Sequence, residues 1–143
     1  MARAPIHLWI VGIVALFWNA GGAMDYVMTR FNAAGYMAAQ PAERLAMLQD
    51  APTWFGVTWA AGVWFSVIGS LLLLLRSRFA GAAFGLSLVG LIGSSIYTYV
   101  IAEGGSMVAA AGAGAIAFTL AIPVVLVFLW IYARAMTRLG VLR

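Results

Sequence analysis

The length of its apolar stretches is what most constrains this chain. The hydrocarbon core of a bilayer is about 30 Å thick, so a helix that crosses it needs roughly 20 mostly apolar residues. Four stretches qualify: about Ile6 to Met28, Pro52 to Leu75, Phe79 to Ile101 and Val108 to Tyr132. Hydrophobic residues make up 65% of the chain and charged residues 8%, too few for the charged skin of a soluble domain. The apolar surface must then face lipid. The expected fold is all-α: a single integral membrane domain over residues 1–143 in which four transmembrane helices form a bundle.

The first stretch has leader-like features, with Arg3 ahead of it and Ala20-Gly21-Gly22-Ala23 resembling a cleavage site. Its apolar character continues past that point, so it is read as a span. The second stretch ends on Leu71–Leu75 and stops at Arg76-Ser77-Arg78. So few residues separate it from the third that the two form an antiparallel hairpin. The sizeable loop, residues 29–51, holds a short amphipathic helix over Pro41 to Gln49. Leu45 and Leu48 lie on one face of it, with Glu43, Arg44, Gln49 and Asp50 on others.

Arginine sets the orientation. Arg3, Arg76, Arg78, Arg134, Arg138 and Arg143 fall on one side, and Arg30 and Arg44 on the other. The positive-inside rule puts the first group, and with it both termini, in the cytoplasm. The acids Asp25, Glu43, Asp50 and Glu103 all lie at or beyond the opposite boundary. Trp9, Trp130 and Tyr132 mark the inner interface, and Tyr26, Trp54, Tyr97 and Tyr99 the outer. The deeper Trp18, Trp59 and Trp64 are not explained by these belts. Because the arginines mark topology, the net charge of +4 does not argue for nucleic acid.

Several chemistries are excluded by what the chain lacks. It has no cysteine, which removes disulfides, thiolate metal sites and cysteine nucleophiles. It has one histidine, His7, too few for bis-histidine haem or a typical zinc site. It has no lysine, so Schiff-base chemistry is out. No serine–histidine–acid set, HExxH, P-loop or GxGxxG pattern is present. The chain is read as non-enzymatic and free of cofactors and metals.

Helices in lipid associate through close packing and interhelical hydrogen bonds. Small residues fall into stripes suited to that: Gly12 and Gly22 on the first span, Gly62 and Ser66 on the second, and Gly81, Gly85 and Gly90 on the third. Pro123 removes one hydrogen bond from the fourth span and predicts a kink. Asn19 needs a partner at its depth in the membrane. Asp25, 19 residues past Ile6 and so about 28 Å along the helix, lies near the outer headgroups. Thr58, Ser94 and Thr98 share the outer half. Asn19 reads first as a hydrogen-bonding tie between helices, and Asp25 as an interfacial acid bonded to a neighbouring helix or loop. The alternative makes Asn19, Asp25, Tyr26, Thr58, Trp59, Ser94 and Thr98 ligand-binding residues, with Asn19, Thr58, Ser94, Ser95 and Thr98 converging on an outward-open cavity and Trp59 and Tyr97 as stacking surfaces.

Three segments carry a family resemblance: Leu16-Phe17-Trp18-Asn19-Ala20-Gly21-Gly22-Ala23-Met24-Asp25-Tyr26, Trp59-Ala60-Ala61-Gly62-Val63-Trp64 with Gly69 to Arg78, and Gln40-Pro41-Ala42-Glu43-Arg44-Leu45. Over about the first hundred residues the chain resembles small four-helix membrane proteins of proteobacteria, whose members often carry the automatic label "sugar transporter". The resemblance implies a bacterial inner-membrane protein, and arginine, alanine and glycine without lysine fit a GC-rich genome. Three functions are weighed. One is an accessory or interaction subunit, or a binder of a lipid-like molecule, whose partners are membrane lipids and another membrane protein or a second copy. The second is a small carrier of sugar-like solutes, and the third a membrane enzyme using Asp25 or Glu103.

Overall fold

The computed structural model describes residues 4–143, so Arg3 lies outside the described residues. The chain is all-helical, a bundle with four helices long and apolar enough to cross a membrane. These are α1 (Ile6–Arg30), α4 (Thr53–Leu74), the run Ala80–Ile101 and α7 (Ala113–Arg138). The third of them is α5 (Ala80–Ser95) continued by a π-helical segment, Ile96–Ile101. Short helices α2 (Ala34–Ala38) and α3 (Ala42–Gln49) fill the first loop, and α6 (Gly104–Ala110) precedes α7.

Local chemistry explains the boundaries. Pro5, Pro41 and Pro52 each stand one residue ahead of a helix with extended backbone, where a missing N–H leaves no helical acceptor unpaired. Asn32, Arg76 and Glu103 take left-handed backbone and end α1, α4 and the π segment. The fourth span starts at Ala113, later than Val108, because Gly112 adopts φ 93° and breaks the chain there. It also runs past Tyr132 to Arg138, since a helix with arginine in its last turns can continue into the headgroup layer. The helix continues through Pro123, whose ring lies on an exposed face.

Within the bundle α1 packs on α4, α4 on α5, and α5 on α7. The closest approach joins α4 and α5. A Cβ built on Gly90 would stand 2.3 Å from the amide nitrogen of Gly62 and 2.6 Å from the carbonyl oxygen of Thr58. One turn away the Ser87 hydroxyl donates to the Gly62 carbonyl at 2.5 Å. Phe84 packs against Gly69, where a Cβ would meet its ring at 2.8 Å. Gly12 of α1 seats the side chain of Leu74.

Contacts between α1 and α7 are made by large side chains: His7 Nδ1 meets the Tyr132 hydroxyl at 2.5 Å, and the rings of Trp18 and Phe118 are 5.6 Å apart. The His7–Tyr132 bond puts the start of α1 and the end of α7 at one end of the bundle. There the backbone pairs Arg78 N with Arg143 O and Arg143 N with Arg76 O, and the Arg76 guanidinium reaches the Val141 carbonyl.

The core occupies this arginine-rich half. Leu8, Leu73, Ala80, Phe84, Leu129 and Ala133 form it, with Val141 and Leu142 folded against it. The buried residues of α1 are Leu8, Gly12 and Ala15, and those of α7 are Leu126, Leu129, Ala133 and Met136. The opposite halves of both helices contribute none. The small-residue stripes therefore divide: Gly62, Ser66 and Gly90 pack helix on helix, whereas Gly22 is exposed and a Cβ there would meet nothing within 4 Å. Gly22 sits on a face of α1 that no other described helix of the chain approaches.

Candidate functional site

The polar side chains of the spans are held at separate places. Asn19 turns toward α4: its amide nitrogen donates to the Ser70 hydroxyl at 2.9 Å and the Ser66 carbonyl at 3.3 Å. Ser70 in turn donates to the Ser66 carbonyl, so the node is closed on itself. An amide in this position ties two helices together where lipid offers no partner.

Asp25 anchors the first loop. One terminal nitrogen of Arg44 on α3 reaches both carboxylate oxygens, at 2.8 and 2.9 Å, and the Tyr36 hydroxyl of α2 donates to the same carboxylate. The other Arg44 nitrogen donates to Gln40 Oε1 at 2.8 Å, and the Gln40 amide points back to the Tyr36 carbonyl. Burial first, then the bond to the Asp25 carboxylate, raises the Tyr36 hydroxyl above its ordinary pKa of 10.0. On the other side of α3 the Tyr97 hydroxyl of the π segment donates to the Met47 carbonyl at 3.0 Å. The amphipathic helix is thus clamped to α1 and to the third span.

Beneath the clamp lies an aromatic cluster. Tyr26 meets Trp59 edge-on at 5.0 Å and Trp64 at 6.2 Å. Phe55 stacks on Trp59 and tilts against Tyr97, which Trp54 meets edge-on. Trp18, Trp59 and Trp64 all have aromatic neighbours, which accounts for tryptophans below the headgroup level.

The remaining candidates do not join them. Thr58 donates to the Phe55 carbonyl and lays its methyl against Gly93. Ser94 donates to the Leu91 carbonyl of its own helix. Thr98 packs its carbonyl and methyl against Gly104. Because α4 stands between α1 and α5, Asn19 and Ser94 face different neighbours, and no hydrogen bond among the described residues joins them.

A concavity lies at the other end. A groove of about 400 Å³ between the start of α5 and the end of α7 is lined by Arg78, Gly81, Gly85, Trp130, Arg134 and Arg138. The Arg134 guanidinium sits 4.9 Å over the Trp130 ring. The floor is made by glycine: a Cβ on Gly81 would lie 3.3 Å from Arg134 Cγ, and one on Gly85 3.3 Å from Trp130 Nε1. Gly81 and Gly85 thus seat two long side chains of α7, in contrast to the backbone contact at Gly90. Sequence reading missed this groove because its arginines lie more than fifty residues apart along the chain, and only the packing of α5 on α7 unites them.

No group of three histidine, cysteine, aspartate or glutamate side chains that could hold a metal occurs among the described residues. Comparison with protein-family models, curated proteins and solved structures finds no match.

Proposed function

We propose that the chain is a non-enzymatic accessory protein of the bacterial inner membrane, with both termini in the cytoplasm, that docks sideways on another membrane protein or a second copy of itself. The observation that carries this reading is the lopsided core. All buried residues of α1 and α7 lie in the arginine-rich halves, and the other halves present Gly21, Gly22, Ala113, Gly114 and Ala117 outward. In lipid, small residues favour association because they let a partner backbone come close. Meanwhile Asn19 and Asp25 are engaged in holding the fold.

The test is extraction into a mild detergent followed by native mass spectrometry. A mass above the 15.2 kDa monomer by one protein partner or one further copy is expected. A monomer carrying detergent alone, in every mild detergent tried, would refute the reading. The second function, a carrier of sugar-like solutes, rests on outer-half polar residues whose side chains here have separate partners. Sugar uptake by proteoliposomes containing the purified chain alone would favour it.

A further inference from the structure

The groove between α5 and α7 has a chemistry that the docking role does not use. Arg78 comes from the start of α5's approach, and Arg134 and Arg138 from the last turns of α7. None of the chain's acidic side chains lies near them in sequence, and Asp25 is bonded to Arg44 at the opposite end. Three guanidinium groups therefore border one depression, and among the described residues none of the three is ion-paired to an Asp or Glu side chain. Arg134 and Arg78 rest on the rings of Trp130 and Phe79, contacts that leave the guanidinium edges open for hydrogen bonding.

The depth of the groove fits the ligand class. From Arg138 to Trp130 is eight residues, about 12 Å along a helix. That distance runs from the headgroup layer into the start of the acyl chains. Charge lines its outer part, and an indole with a glycine floor lines its deeper part. Trp130 Nε1 lies over Gly85 as a donor with no acceptor among the described residues. Guanidinium forks match phosphate oxygens, and an indole N–H at this level suits an ester carbonyl. Basic pockets between transmembrane helices bind anionic headgroups for these reasons.

We propose that this groove is a binding site for one anionic phospholipid, with its phosphate among Arg78, Arg134 and Arg138 and its glycerol backbone against Trp130. A soluble phosphate lacks the acyl chains that would continue past Trp130 along the exposed apolar side chains of α5 and α7, such as Val89 and Val127, so the site is assigned to a lipid.

The experiment is titration of dioleoyl phosphatidylglycerol into the purified full chain, read by native mass spectrometry, with dioleoyl phosphatidylcholine and inorganic phosphate as parallel arms. Phosphatidylglycerol should remain bound in the gas phase, phosphatidylcholine should not, and phosphate should not displace the glycerol lipid. Each arginine-to-glutamine change should weaken binding roughly fivefold, and R78Q/R134Q/R138Q together about a hundredfold. W130F should weaken it by less, and R30Q, at the opposite end, should leave it unchanged. These arginines are exposed, so the variants should keep the parent's circular dichroism spectrum. If the triple variant does not fold, R138Q and W130F carry the test by themselves. Equal retention of the two lipids, displacement by phosphate, unchanged binding in the arginine variants, or an equal loss in R30Q would each overturn the assignment.

Discussion

Gly90→Ala probes the contact on which the bundle turns. The added methyl would lie 2.3 Å from Gly62 N, 2.6 Å from Thr58 O and 2.9 Å from Ala61 C, all backbone atoms that cannot rotate aside. Carbon contacts are comfortable at about 3.5–4.0 Å, so α4 and α5 must part by about 1 Å. Overpacking of this kind typically costs about 1–3 kcal/mol. The same movement stretches the Ser87–Gly62 hydrogen bond, a class of interaction averaging about 0.6 kcal/mol in membranes. Alanine recovers up to about 1 kcal/mol of helix propensity, which would blur the reading. Gly22→Ala supplies the correction, because it gains the same propensity and meets nothing within 4 Å. The two variants should therefore differ by about 2–3 kcal/mol, with Gly90→Ala the less stable. Reversible unfolding in mixed micelles, followed by far-ultraviolet circular dichroism against the mole fraction of dodecyl sulfate, measures the difference. Stabilities within about 0.5 kcal/mol of each other, the scatter expected of surface substitutions, would refute the close approach of α4 and α5.

Other perturbations read the remaining contacts. Asp25→Asn should release the first loop, raising protease cleavage and hydrogen exchange over residues 34–50, while global stability falls by no more than about 1 kcal/mol because the pair is partly exposed. Unchanged protection would show that the clamp does not hold the loop. The raised pKa of Tyr36 favours its neutral hydroxyl in the fold, so its contribution is fully present below pH 10.0 and is lost as pH rises through the higher folded value. Absorbance at 295 nm should show a late-titrating tyrosine component, and Tyr36→Phe should diminish it. Asn19→Ala should cost about 0.5–1.5 kcal/mol, since Ser70 keeps its bond to Ser66 and no hydroxyl is orphaned. A cost above about 3 kcal/mol would mean that the amide holds more than this node.

The spans were legible because hydrocarbon sets a length scale that charge and apolar runs record directly. The α4–α5 hairpin followed from the short Arg76-Ser77-Arg78 connector, and the loop helix from Pro41 and the pairing of Leu45 with Leu48. What sequence hid depends on neighbours. Val108 to Ala111 read as the start of the fourth span, and only the positive-φ backbone at Glu103 and Gly112 sets Gly104–Ala110 apart as a separate helix. The π segment has no local signature, yet it contains the Tyr97 that holds α3. Gly81, Gly85 and Gly90 read alike as one small-residue stripe, but only Gly90 meets backbone. The outer-half polar residues find separate partners for a related reason. Serine and threonine in a helix can bond the carbonyl a turn earlier, as Thr58 and Ser94 do, so their presence does not oblige a ligand.

Site-directed photocrosslinking in intact cells tests the docking role most directly. A photoreactive residue placed at Gly22 or Ala117, on the uncovered halves of α1 and α7, should give a protein adduct of one defined mass. The same residue at Val89, a lipid-facing position on α5 outside those halves, should not. Adducts of equal yield and mass from all three positions, or labelling of lipid alone, would contradict the account.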